Sequence, residues 1–168
     1  MNRLLITLLI SGLFTSCTGL TGKNDFYSYT RSGDLWRLPL AEPYELVSPT
    51  NTATDWFLIL KPHPVLHPDY LNTGDEFQLS SIDSVGKQKS VIVLHSTNVY
   101  WPRLAGSYKS TLILDTVSHK VWLFPDQQGE KIFSRLRELK VTDIQLRPIE
   151  PIVRMFQDSL KLPDGWRR

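Results

Sequence analysis

Four histidines, one cysteine and a scatter of carboxylates are the side chains on which chemistry could rest. His63 and His67 form the one close histidine pair, with Asp69, Asp75 and Glu76 just behind. The group reads either as metal ligands or as part of a solvated loop. Pro64 and Pro68 forbid the helix that would bring imidazoles four apart onto one face, so the loop reading is preferred and no metal is expected. His95 interrupts an apolar run and reads as a hydrogen-bonded histidine, either interior or surface-facing, while His119 follows a turn and is expected at the surface. Asp34, Asp55, Asp83 and Asp115 could pair as acid and base, but residues of this kind at strand ends are ordinarily solvated. There is no Gly-x-Ser-x-Gly, no Ser-x-x-Lys accompanied by the other elements of a serine acylase, and no glycine-rich phosphate loop. No catalytic residue and no cofactor is therefore expected.

Aromatic side chains are the remaining candidates. Trp36, Trp56, Trp101, Trp122 and Trp166, with the tyrosines, could line a groove for a glycan or peptide, since aromatic faces bury much area at little entropic cost. Trp36, Trp56 and Trp122 lie among apolar neighbours and are expected in the core. Tyr70, in a proline-rich loop, and Tyr100-Trp101, ahead of Pro102, are the expected contact surface.

Cys17 calls for a different explanation. Residues 1–16 carry one positive charge at Arg3, then an apolar run over 4–14, then the small residues Thr15 and Ser16, which is the layout of an export signal. Eleven residues rise only about 17 Å as a helix, too short for a hydrocarbon core of roughly 30 Å, so a removable leader is expected rather than a membrane span. An exported chain with a single cysteine cannot close an internal disulfide. Phe14-Thr15-Ser16-Cys17 resembles the lipobox of bacterial lipoproteins: a bulky apolar residue, two small ones, then cysteine. The resemblance covers the leader alone. It implies a thioether-linked diacylglycerol on Cys17, cleavage before it and acylation of its amine. Two or three acyl chains anchor stably, at about 0.8 kcal/mol per buried methylene. The competing reading is an ordinary secretory signal with an incidental cysteine. Thr18 stands where an aspartate would favour inner-membrane retention in enteric bacteria, so the outer membrane is the expected site.

Behind the anchor, residues 17–24 are small and polar with two glycines and read as a tether. Residues 25–168 are enough for one domain with one core. Nineteen Lys and Arg against seventeen Asp and Glu give +2, or +1 once Arg3 leaves with the leader, and the charges are scattered. Nothing makes a phosphate-tracking patch, so nucleic acid is not an expected partner.

Short strands are expected over 35–40, 44–47, 55–60 and 77–82, with a proline-rich loop over 61–76 and a turn over 83–89. Residues 90–101 read as a central strand, and 109–115 with 119–124 have hairpin spacing. After Pro125 the apolar period changes: Ile132, Phe133, Leu136 and Leu139 mark a helix over about 128–139. A short strand is expected over 141–146. Pro151 then opens a second helix, whose face is Ile152, Val153, Phe156 and Leu160. Strands first and helices last predict an α+β domain, a mainly antiparallel sheet with two C-terminal helices packed on one face.

Three functions are compatible with this chain. The preferred one is a non-catalytic envelope lipoprotein, anchored through Cys17, whose domain engages an envelope protein partner or serves as an accessory module. The others are a small-ligand or glycan-binding lipoprotein using exposed aromatics, and an immunity or inhibitor-like protein or hydrolase.

Overall fold

Alternating apolar residues, cut by prolines and tight turns, divide the chain into antiparallel strands joined in order. The computed structural model describes residues 25–52, 55–60 and 77–167. Five strands, β1 (Arg31–Ser32), β2 (Leu35–Ala41), β3 (Tyr44–Ser48), β4 (Phe57–Leu60) and β5 (Phe77–Leu79), form one sheet in sequence order. The second sheet holds β6 (Ile82–Gln88), β7 (Val91–Trp101), β8 (Gly106–Asp115), β9 (Lys120–Pro125) and β10 (Arg147–Pro148), in the order β10-β6-β7-β8-β9. All pairings are antiparallel. Two C-terminal helices, α1 (Gly129–Glu138) and α2 (Ile149–Ser159), complete an α+β fold of the class the sequence predicts.

Side-chain alternation sets where the core lies. Leu38, Leu40, Leu46, Leu58 and Leu60 of the first sheet join Ile92, Leu94, Leu112, Leu114 and Leu123 of the second in one buried cluster. The neighbouring positions of the second sheet, Val91, Val93, Ile113, Trp122 and Phe124, point the other way and form a separate cluster with Leu136 of α1 and Val141. Both faces of β7 and β8 are thus covered, which explains why these strands read as nearly continuous apolar runs. The helices serve different clusters: α2 packs Ile149, Ile152, Val153 and Phe156 into the larger one, while α1 covers the smaller. The expected single sheet with both helices on one face is corrected accordingly. α2 ends where Leu160 takes a left-handed conformation (φ 54°) and its N–H closes on the Phe156 carbonyl at 2.8 Å.

Two local expectations are overturned together. Residues 83–88 are not a turn but most of β6, the turn being confined to Lys89 and Ser90, and 141–146 are not a strand but an irregular segment laid across β6. Gly86, inside the range expected to turn, is there for close approach. A Cβ at this position would sit 2.7 Å from the Gln145 carbonyl oxygen and 3.1 Å from Ile144 Cγ1. Gly86→Ala is therefore expected to destabilise the fold by roughly 1–3 kcal/mol through overpacking against backbone, read as a shift of the urea midpoint. A neutral substitution would mean that the segment does not press on β6.

Beyond Ser96 and Ser110 neither β6 nor β9 continues, and β7 with β8 runs on as a two-stranded ribbon, bent by an irregularity between Ser96 and Val99. The bend turns Val99 and Trp101 into the main cluster. Trp101 has no accessible surface, and its indole N–H donates to Ser110 Oγ at 2.9 Å. It is a core residue, and only Tyr100 of the expected contact pair faces solvent. On the outer face of the first sheet, buried Arg37 donates to Glu45 Oε2 at 2.6 Å and to the Tyr29 carbonyl at 3.4 Å. Its guanidinium lies 4.1 Å from the Tyr29 ring centre and 5.4 Å from that of Phe26, clipping residues 26–29 to the sheet.

Candidate functional site

On the α1 side of the second sheet, β7 presents Val91, Val93 and then His95. A polar side chain in a half-covered row must find partners, and the sheet supplies them. Thr111 of β8 and Ser84 of β6 stand opposite His95 in register. Between Ile82 and Ser84 the β6–β7 register slips, and Asp83 is the residue left without a partner there. Such a slip re-aims a side chain: Asp83 Oδ1 lies 2.8 Å from His95 Nδ1. The other ring nitrogen is met from a different direction. Pro125 ends β9, and Asp126 opens the 3-10 turn Asp126–Gln128 that leads into α1. Its Oδ2 lies 2.9 Å from His95 Nε2. Ser84 Oγ donates to Asp83 Oδ1 at 2.8 Å and Thr111 Oγ1 to Asp126 Oδ1 at 3.0 Å, so each carboxylate is held by a hydroxyl of the sheet.

The His95 side chain is 17% exposed and its two carboxylates 44% and 39%. Burial works against charge on the ring, but the hydrogen bonds and negative charges of Asp83 and Asp126 outweigh it, and the imidazole is held above its ordinary value of 6.5. When the ring is protonated, both nitrogens donate, one to each carboxylate. In that state no ring nitrogen remains to take a proton from a substrate or to activate a hydroxyl. The cluster joins β6 to the turn entering α1 through the imidazole.

The other residues singled out in the sequence do not converge. His119 is exposed, its Nδ1 2.5 Å from the hydroxyl of Tyr44, and this contact ties the β8–β9 turn to the first sheet. The Tyr44 phenol is pushed up by burial and by the charge of Asp115. Asp115 is spent inside the same turn, accepting from Ser118 Oγ at 2.6 Å and the Val117 N–H at 3.2 Å. Asp55 accepts from Thr50, and Asp34 lies exposed in the β1–β2 turn. Trp56, Trp122 and Trp166 are buried like Trp101, and Trp36 is half-buried, so the five tryptophans form no exposed concave patch. His63, His67, Asp69, Tyr70, Asp75, Glu76 and Cys17 lie outside the described residues. Among the described residues no three His, Cys, Asp or Glu side chains are grouped to hold a metal ion. The Asp83–His95–Asp126 constellation was visible in the sequence only as a histidine in an apolar strand.

A second feature lies at α1. Beside α1 runs a groove of about 750 Å³ with Leu136, Val141 and Ile144 among its apolar lining and Glu130 and Arg137 among its charged residues. Phe133, which also lines it, is 67% exposed, the most exposed aromatic ring among the described residues. The C-terminal half of α1 is fixed by Leu136 and by Arg135, whose guanidinium lies 4.7 Å from the Trp122 ring centre and pairs with Glu138 at 2.5 Å. Among the described residues no helix is long and apolar enough to cross a membrane. Compared with protein-family models, with curated proteins and with solved structures, the chain matches none.

Proposed function

We propose that this chain is a bacterial envelope lipoprotein, anchored by acyl chains on Cys17, whose α+β domain is a non-catalytic module that engages an envelope protein. The observation that carries the reading is the only sulfhydryl of the chain, placed directly behind an apolar leader and the small residues Thr15 and Ser16. Thr18 in the following position favours the outer membrane. Two features of the domain support a binding rather than a chemical role. The one histidine–carboxylate cluster among the described residues is closed on itself, with both ring nitrogens engaged. Apolar surface is instead offered outward, at Phe133 beside its groove and at Tyr100 on the ribbon. The burial of four tryptophans removes the main support for a glycan-binding surface.

A photo-crosslinking residue placed at Phe133 of the full chain, in its natural host, tests the module. The expected result is one discrete crosslinked product, with none from the same residue at Val117, which is 77% exposed on the β8–β9 turn. Equal, diffuse crosslinking from both positions would contradict a specific protein partner at this face.

A further inference from the structure

We propose that His95 is a protonation-dependent latch: the charged ring bridges Asp83 and Asp126, and loss of one proton frees Asp126, releasing the turn Asp126–Gln128 and the first turn of α1 from the second sheet. The geometry carries this. The two carboxylates come from different elements and reach opposite nitrogens, at 2.8 and 2.9 Å. An imidazolium donates to both; a neutral imidazole has one donor and one acceptor, and its acceptor nitrogen then faces a carboxylate oxygen. One contact must open.

Asp126 is the partner that leaves. Asp83 sits inside β6, whose ladder to β7 continues on both sides of it, at Ile82–Ser96 and Ser84–His95. Asp126 belongs to a three-residue turn and, once the imidazole lets go, keeps only the bond from Thr111 Oγ1. The charged groups acting on the ring are Asp83 from β6 and Asp126 from the turn, while β8 contributes the neutral Thr111. No cation among the described residues shares in the bridge, so its strength follows the charge of His95 alone.

The direction with pH follows from the raised affinity of the ring for its proton. The bridge is complete below the ordinary histidine value of 6.5 and is lost as pH rises through the higher value in the fold. The effect stays local, because Leu136 and Arg135 hold the second half of α1. Glu130 and Phe133, which line the groove, lie on the half that loosens. The latch does not depend on the lipid anchor or on a protein partner.

Hydrogen exchange of the full chain, corrected for the intrinsic pH dependence of the chemistry, reads the latch directly. Amides of residues 126–133 are expected to lose roughly tenfold in protection between about pH 6 and about pH 8.5, the scale of one charge-assisted hydrogen bond, while the central residues of β7 and β8 do not change. In His95→Gln the protection of 126–133 is expected to be low at both pH values. Asp126→Asn should remove most of the pH response, since the amide accepts from the charged ring through its oxygen and donates to the neutral ring through its nitrogen, keeping the turn closed at both pH values. Equal protection of 126–133 at the two pH values in the unaltered chain would overturn the proposal. So would an unchanged pH response in either variant.

Discussion

Replacing Trp101 with alanine is expected to lower stability by about 3–5 kcal/mol, while replacing its neighbour Tyr100 changes it by no more than roughly 0.5 kcal/mol. The two residues are adjacent on one strand and have opposite surroundings. Trp101 has no exposed surface and closes the end of the main cluster, where the ribbon bends over it. Its removal deletes the largest kind of side chain from a packed interior and leaves a cavity. It also deprives the buried Ser110 hydroxyl of the indole N–H that donates to it at 2.9 Å. Tyr100, 61% exposed, makes no comparable contribution to the interior. For a domain whose whole stability is of order 5–15 kcal/mol, the first change consumes a large share of it. Urea denaturation followed by far-UV circular dichroism separates the cases. A loss below about 1 kcal/mol for Trp101→Ala would mean that the ribbon does not fold back on the core.

Cys17→Ser is expected to abolish membrane retention. Serine has no thiolate from which a thioether to diacylglycerol could form, so the anchoring chains are lost together. Each methylene they bury contributes about 0.8 kcal/mol, and no described helix is able to take over as a span. Fractionation of the host should move the variant from the membrane pellet to the soluble fraction, or leave it unprocessed with its leader attached. A variant of mature length that still pellets with membranes would contradict anchoring through this sulfur.

Much of the fold was legible because much of it is local. The hairpin of β8 and β9 follows from two β-rich runs separated by a short polar turn, and both helices follow from apolar residues at intervals of three and four. Leu136 and Phe156, predicted on their inner faces, are buried. What sequence reasoning missed was set by long-range packing. The range 83–89 reads as a turn until the segment carrying Ile144 and Gln145 is seen to lie across Gly86. Trp101, beside a proline and between polar stretches, reads as surface, and becomes core only because the ribbon bends near Ser96. The division of strands between two sheets, and of helices between two clusters, depends on which side of β7 each element covers, a choice the apolar period does not encode.

The His95 cluster illustrates the same limit at the level of chemistry. Asp83 and Asp126 are 12 and 31 residues away from His95 in sequence. One reaches it through a register slip and the other through the turn that follows Pro125. The legible sign was a titratable side chain in the middle of an apolar strand, which had to be paired because burial without a partner is costly.

Anchoring is tested most directly by the intact mass of the protein purified from the membranes of its natural host. The expected species begins at Cys17 and is heavier than the bare polypeptide by a thioether-linked diacylglycerol and an amide-linked acyl chain. A polypeptide carrying no lipid at Cys17, with or without its leader, would contradict the account.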